Sequence, residues 1–363
     1  MALETASVSV PGFSVPAFNL GCQGPDLFSH GRRTKPSAVA FAGMLHRGRY
    51  GSFCGNAAQL IRESGAAANP DVVSWFLGFV THQETDRALH PYVVNRSSLA
   101  HGTGLPAVNP SLVHAFFERI LDVMILNAID GRQAREFDTG LPFDLSPSRR
   151  DPIVDIVARS LVDTYPERAL GDDVRERVEN AFVDSVDFYR LTNPVLTDRS
   201  EDPAAIEADT LDALTPAGVA LLYPCDLDPA VDWLNAEKRP WMNPADGMPR
   251  TESALDLFAR AVERSSAIVR LARDTVCPTG GNAGTETARA GDYRLLVEAV
   301  GESCLSIAGP DGKVSPVVAC EPFDLARALS NETDWRIRWI GRTGEGNRRD
   351  RLTPENGAGM MNR

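Results

Sequence analysis

The six histidines of this chain all lie within its first 114 of 363 residues. They are His30, His46, His82, His90, His101 and His114. Imidazole is the commonest side-chain ligand for metal ions, because its neutral ring nitrogen offers a lone pair near physiological pH. The confinement of the histidines to one third of the chain favours a single metal-binding region over six unrelated positions.

Histidine and carboxylate recur together at a spacing of four residues. The two patterns are His82–Asp86–His90 and His114–Glu118–Asp122. Residues four apart on a helix differ by about 40° around its axis, so each pattern occupies one stripe about 80° wide. Helical proteins build metal centres from inward-facing stripes of this kind.

Both stripes adjoin strongly apolar segments, WFLGFV before the first and FF, IL and VMIL within the second. Burying carboxylates and imidazoles there is costly unless a cation compensates them. The alternative is that both stripes face solvent, and that Asp86–Arg87 and Glu118–Arg119 are ordinary surface ion pairs. Two stripes combined with the clustered histidines favour the metal interpretation.

The hydrophobic periodicity predicts a mainly α-helical protein. Helices are expected within residues 37–63, 71–90, 110–131, 151–165, 172–191 and 251–273. Asn69 and Pro70 form a helix-start signal, as do residues 251–253, and Pro91 is expected to end the second helical segment. Residues 1–35 show no helical period and are expected to wrap the surface.

The same patterns divide the chain into parts. Residues 1–275 are predicted to form the helical domain, and residues 279–287 a linker. Residues 288–342 contain three short strand patterns, which predict a small α+β C-terminal module. Residues 343–363 are polar and are expected to be disordered.

Charge and composition narrow the class of partner. The net charge of −12 disfavours a duplex nucleic-acid ligand, which needs a basic face, but not a small phosphate ester bound at a metal. No transmembrane or secretory segment is expected. The six cysteines include no CxxC pair, so reduced thiols in a cytoplasmic protein are expected. The sequence specifies no protein partner.

Five segments resemble, in order, the zinc-dependent phospholipase C family and its cytosolic bacterial branch. They are GCQGPDLF (21–28), MLHRGRYGSF (44–53), LGFVTHQETDRALHPYV (77–93), HAFFERILD (114–122) and WMNPADGMPRTESALDLFARA (241–261). The similarity covers about residues 20–275. The HxxxDxxxHPY signature followed by HxxxE is its most specific part, whereas GPD alone is weak.

This resemblance implies a multi-helix phospholipase C/nuclease-like bundle with a multinuclear zinc site. One zinc would be held by Asp26, His46, His82 and Asp86, with Asp86 bridging to a second. Another would be held by His90, His114 and Glu118. Secreted members also use their N-terminal amine and a nearby histidine. In this chain His30 is the candidate for that role, and neither His101 nor Asp122 has a counterpart.

The implied cofactor is Zn²⁺, as two or three ions, with iron or manganese as alternatives. Metal-bound hydroxide would attack a phosphodiester, with Asp26 and Asp86 in catalytic roles. The expected substrate is a small phosphoester or a phospholipid. Three alternatives stay open: a nuclease of the same fold, a non-catalytic helical protein with a structural metal site, and a partner-binding protein whose C-terminal module docks another chain.

Overall fold

In the computed structural model, the described residues are 10–98, 110–140, 143, 145–193, 222–224, 227, 229–277 and 286–305. They are mainly helical, as the sequence predicts. The helices are α1 (Val15–Cys22), α2 (Asp26–Ser29), α3 (Val39–Arg47), α4 (Tyr50–Glu63), α5 (Pro70–Phe79), α6 (His82–Ser98), α7 (Pro110–Asp130), α8 (Pro147–Thr164), α9 (Val174–Leu191), α10 (Ala254–Val276) and α11 (Glu286–Val300). Strands β1 (Trp241–Met242) and β2 (Pro249–Arg250) pair antiparallel, with Trp241 opposite Arg250.

Two of the predicted helix starts are confirmed by their hydrogen bonds. The Asn69 side chain accepts from the backbone N–H of Asp71, and Pro70 occupies the first turn of α5. Ser253 and Asp256 form a reciprocal capping box at the start of α10. Such caps satisfy backbone donors that the first helical turn leaves unpaired.

Helix α5 forms the centre of the main core, and every residue from Asp71 to Phe79 is buried. It packs backbone to backbone against α1. A Cβ on Gly21 would lie 2.1 Å from the Trp75 carbonyl oxygen, and one on Gly78 would lie 2.1 Å from the Phe18 carbonyl oxygen. Only glycine permits this approach at either position.

The expectation that residues 1–35 merely wrap the surface is wrong for α1. Its residues Ala17, Phe18 and Leu20 are at most 4% exposed. The segment is too short to display a helical period clearly, and its burial depends on α5, which lies far along the chain. Local sequence therefore did not reveal it.

The prediction of one helix over residues 71–90 is also wrong in two respects. The chain turns at Val80 and Thr81, which separate α5 from α6. Pro91 does not end α6, which continues to Ser98. Beyond the proline, Tyr92 is fully buried and donates a hydrogen bond to the Trp233 carbonyl oxygen at 2.9 Å. Such packing offsets the cost of about 3 kcal/mol for an interior proline.

Residues 286–305 pack on the helical domain. Leu296, Val300 and Leu305 are fully buried in the main core. Arg87 donates to the carbonyl oxygens of Val300 at 2.6 Å and Ser303 at 3.0 Å, and thereby holds the end of α11. Residues 303–305, where the first predicted strand pattern begins, form no strand. The rest of the predicted strands of the α+β module, the predicted disordered tail (343–363) and His101 lie outside the described residues. No described helix is long and apolar enough to cross a membrane.

The close contact of α1 with α5 predicts that Gly21→Ala and Gly78→Ala each destabilise the protein. The added methyl group would collide with backbone, which is costly to move, so we expect a loss of about 1–3 kcal/mol or more. Urea unfolding measures it. Gly43→Ala in α3 is the matched control, because its Cβ would meet nothing closer than 3.8 Å. That control is expected to be stabilising by about 0.5–1 kcal/mol. Equal stability of all three variants would contradict this packing.

Candidate metal centre

Three helices bring Asp26, His46 and His82 together. Asp26 begins α2, His46 lies in the last turn of α3, and His82 begins α6. One ligand atom from each lies within 4.8 Å of the others. The Nε2 atom of His46 is 3.2 Å from Asp26 Oδ1. These residues are separated by long stretches of sequence, so the folded helices create the group.

Asp86 lies one helical turn beyond His82 and joins the same group. Its Oδ2 atom is 3.7 Å from His46 Nε2 and 3.9 Å from His82 Nε2. Both Asp86 Oδ2 and His82 Nε2 are buried and lack a hydrogen-bond partner among the described residues. Buried polar atoms are almost always paired, so two adjacent unpaired atoms indicate a missing partner such as a cation.

Backbone carbonyls orient both imidazole rings of this first group. His46 Nδ1 lies 2.8 Å from the Ala42 carbonyl oxygen, and His82 Nδ1 lies 3.3 Å from that of Cys22. A carbonyl oxygen only accepts, so each Nδ1 carries the proton and each Nε2 lone pair is directed into the group in the neutral ring. Histidine ligands are commonly fixed in this way.

Gly24 supports the ring of His82 from the side. Its φ of +52° favours glycine, and a Cβ at this position would lie 2.3 Å from the imidazole. The GPD segment therefore contributes a close backbone contact as well as the ligand candidate Asp26. Sequence reasoning identified Asp26 as a ligand candidate but missed Gly24. The signal that could have found it is a glycine two residues before the candidate ligand.

A second group contains His90, His114 and Glu118. It combines the third residue of the α6 stripe with the first two of the α7 stripe, and its ligand atoms lie within 4.8 Å of one another. His114 Nε2 is 3.1 Å from Glu118 Oε1, and the His90 and His114 ring centroids are 4.9 Å apart. Asp86 lies on α6 one helical turn from His82 of the first group and one helical turn from His90 of the second.

The first group contains a carboxylate and an imidazole that titrate abnormally. Burial raises the pKa of Asp86 to about 8, although the charge of His46 opposes the shift. Burial acts to lower the pKa of His46, but its hydrogen bond to Asp26 and the charges of Asp26 and Asp86 raise that pKa to about 10. Burial acts to raise the pKa of Asp26, and the His46 hydrogen bond instead holds it below its usual range. When no metal is bound, protonated His46 supplies part of the positive charge that a cation would supply.

Two histidines are neutral near pH 7 and thus ready to bind a metal. Burial lowers the pKa of His82 and of His90 to about 4 in each case. Burial would also lower the pKa of His114, but the hydrogen bond and charge of Glu118 raise it. Metal binding to His46 would therefore displace a proton, as expected when ligands must be deprotonated.

Two carboxylates leave the groups accessible from solvent. Half of the Asp26 side chain is exposed, and 44% of the Glu118 side chain. By contrast the Asp86 side chain is 12% exposed and His82 is buried. The two groups therefore combine buried residues, His82 and Asp86, with half-exposed carboxylates that a small molecule can reach from solvent.

The structure does not bring His30 or Asp122 into either group. The His30 ring stacks on Phe188 with centroids 3.9 Å apart and planes 11° apart. Asp122 pairs instead with Arg119 at 3.0 Å. The solvent-facing alternative makes Arg119 a surface partner of Glu118, yet the Arg119 side chain is only 13% exposed. Its burial results from tertiary packing, for which the local sequence offered no signal.

Comparison of the chain with protein families, with characterised proteins and with solved structures finds no match.

The abnormal titration predicts that the metal-free protein loses stability as pH rises from 6.5 to 8. Over that range the folded protein retains protons on His46 and Asp86 that the unfolded chain has largely released. His30, His82 and His90, whose pKa values burial lowers to about 4, act in the opposite direction, but the unfolded chain loses most of their protons by about pH 7. The free energy of unfolding therefore falls, most steeply above about pH 7. Asp86→Asn removes the contribution of Asp86. The free energy of unfolding of this variant is therefore expected to decline less steeply with pH. Urea unfolding in excess chelator measures both slopes.

Asp151→Asn is the control for that experiment, because it removes an exposed carboxylate that pairs with Arg175 on the surface. It should retain the slope of the unsubstituted protein. Identical slopes for that protein and Asp86→Asn would show that Asp86 is already ionised at pH 6.5, contrary to the geometry described.

Proposed function

We propose that this chain is a metal-dependent phosphoric ester hydrolase that resembles zinc-dependent phospholipase C in fold and site. The observation that carries the proposal is the pair of histidine–carboxylate groups with Asp86 between them. The mainly helical architecture and the order of the motif segments are consistent with it. Asp26, His46 and His82 would hold one ion, with Asp86 bridging, and His90, His114 and Glu118 another.

The donor atoms fit zinc. Each group offers two imidazole nitrogens and at least one carboxylate oxygen, and no thiolate takes part. Two histidines with one carboxylate form a frequent catalytic zinc set, and the same set also suits iron. We therefore propose two zinc ions, with iron or manganese as alternatives. A third ion would require ligands beyond these two groups, and His30 stacks on Phe188 outside both.

The second group favours a catalytic over a structural metal site. Structural zinc sites are closed by four protein ligands, whereas catalytic sites use three and leave a position for water or substrate. His90, His114 and Glu118 form a three-residue set with a half-exposed carboxylate. A purely structural site would not need this access.

Asp26 and Asp86 of the first group have different roles in the proposed reaction. When bound, the ions supply positive charge for phosphoryl oxygens and lower the pKa of a water to about 7. Asp26, half exposed, accepts a hydrogen bond from the attacking water and orients it. Asp86, buried between His46 and His82, fixes the spacing of the two groups, and its burial excludes bulk water from the floor of the site.

The proposed substrate is a small phosphoester or the phosphodiester of a phospholipid. Metal charge at the site attracts phosphate even though the chain as a whole carries −12. That overall charge argues against a duplex nucleic acid. A nuclease acting on single strands is the neighbouring alternative, which the substrate assay separates.

The zinc-loaded protein is expected to hydrolyse bis(p-nitrophenyl) phosphate, and chelation should abolish the reaction until zinc is restored. His114→Ala and Asp86→Asn should each reduce the rate by more than about 100-fold, since even outer-shell changes at metal sites cost about 10- to 100-fold. Asp151→Asn is again the control and should retain full activity. A short-chain phospholipid and single-stranded DNA, assayed in parallel, separate the substrate classes.

Zinc retention without turnover of any of these substrates would contradict the hydrolase proposal and favour a structural metal. Equal rates in the chelated and zinc-loaded protein would contradict any role for the metal in the chemistry.

A further inference from the structure

A charged cavity lies between the beginning of α6, strand β2 and the first half of α10. Its volume of about 780 Å³ is within the range of about 300–1,000 Å³ that small-molecule sites occupy. Most of the described residues that line it are polar, and they include four arginines and two glutamates. These six are Arg87, Arg250, Arg260, Arg264, Glu84 and Glu252.

The cavity shares no described lining residue with the candidate metal centre. On α6 the ligand candidates His82, Asp86 and His90 occupy a stripe about 80° wide. Glu84 and Arg87 lie about 200° and 140° around the axis from His82, outside that stripe. Helix α6 therefore presents one face to the metal centre and another to the cavity.

Two arginines of α10 offer hydrogen-bond donors to the cavity. Arg260 and Arg264 are four residues apart, so they are neighbours on one face of the helix. Their side chains are 44% and 66% exposed, so a molecule in solution can reach both guanidinium groups. Among the described residues, Arg260 donates only to Glu252, at 3.1 Å. Arg264 lies 3.7 Å from Glu84, beyond the length of a hydrogen bond, so its donors are open in this part of the chain.

The lining residues carry more positive than negative charge. Four arginines accompany two glutamates, which leaves two positive charges in excess among them. Glu252 and Glu84 each pair with one arginine of α10, and Arg250 pairs with Asp246 outside the lining. Ion pairs at an exposed surface are weak, so an anion in the cavity can compete for these arginines.

Arg87 is the lining arginine that forms no ion pair with a described carboxylate. It donates to the carbonyl oxygens of Val300 at 2.6 Å and Ser303 at 3.0 Å, and to the side chain of Gln83. These hydrogen bonds fix the guanidinium at the wall of the cavity. Because the acceptors are neutral, they leave the charge of Arg87 to attract an anion.

The chemistry of the lining indicates which ligand the cavity suits. Guanidinium groups bind phosphoryl and carboxylate oxygens through charge-assisted hydrogen bonds. No aromatic side chain is among the described lining residues, so a nucleobase would find no stacking partner there. A small aliphatic or inorganic polyanion therefore fits the cavity better than a nucleotide.

We propose that this cavity binds a small ligand with at least two anionic groups, whose phosphoryl or carboxylate oxygens accept hydrogen bonds from Arg260 and Arg264. Arg87 contributes positive charge from the α6 wall. Glu84 opposes binding, because its carboxylate repels the anion. The site requires no metal ion and does not depend on the proposed function.

The test is calorimetric titration of the metal-free full-length protein with inorganic pyrophosphate and, separately, with citrate. Metal is removed beforehand because both anions also bind zinc. We expect one or both anions to bind, with an affinity that falls as the salt concentration rises. The anion with the lower Kd identifies the ligand as a phosphoryl or a carboxylate compound.

Two arginine variants locate the binding. Arg260→Gln and Arg264→Gln should each raise Kd by about 10-fold, the lower end of the effect of losing a hydrogen bond to a charged group. Both side chains are exposed, so the fold should be retained, and the melting temperature checks this. Arg175→Gln is the matched control, because it removes an exposed arginine that pairs with Asp151 and Asp155 and does not line the cavity. Its Kd should be unchanged.

Glu84→Gln supplies a prediction of opposite sign. It removes a negative charge from the lining and nearly preserves the size of the side chain, so it should lower Kd for the anion that binds. If Arg264 served only to pair with Glu84, this substitution would not strengthen anion binding.

Absence of binding by both anions would overturn the inference. So would binding that Arg260→Gln and Arg264→Gln leave as strong as Arg175→Gln does, because the anion would then bind elsewhere. Neither result bears on the metal centre, since the titrations contain no metal.

Discussion

The unpaired burial of Asp86 Oδ2 and His82 Nε2 is the constraint on which the rest of this structure depends. A carboxylate surrounded by packed helices is costly unless it is protonated or compensated by a positive charge. Without metal, the protein lowers that cost by raising the pKa of Asp86 and by keeping His46 protonated beside it. A cation among Asp26, His46, His82 and Asp86 would replace that proton and satisfy the buried atoms at once.

The surrounding helices hold this arrangement in place from several directions. Glycine contacts draw α1 against α5, and the chain that leaves α1 carries the Cys22 carbonyl and Gly24 to the ring of His82. Arg87, which also lies on α6, donates hydrogen bonds to the backbone carbonyl oxygens of Val300 and Ser303 and so holds the end of α11. Helix α6 is therefore fixed by neighbours around it, whereas His82 Nε2 and Asp86 Oδ2 on its polar stripe have no hydrogen-bond partner in the part of the chain that the structure describes. This contrast is typical of a site whose ligands are positioned before the ion arrives.

Local spacing predicted part of the centre and long-range packing decided the rest. The four-residue spacing placed His82, Asp86 and His90 on one helical stripe, and α6 contains all three. The approach of Asp26 and His46 to that stripe had no local signal and came only from resemblance to a known family. The prediction that Pro91 ends the helix is wrong because the packing of the residues beyond it keeps α6 helical. The stacking of His30 on Phe188 likewise depends on α9, which lies about 150 residues away in sequence.

Zinc anomalous diffraction from crystals grown with the metal would test the central claim most directly. We expect one ion bound by His82 Nε2 and Asp86 Oδ2 and a second bound by His90, His114 and Glu118, with each ligand distance about 2.0–2.2 Å. Zinc found only at surface carboxylates, with Asp86 and His82 hydrogen-bonded to each other or to ordered water, would contradict it. In that case the buried polar atoms would have been satisfied without a metal.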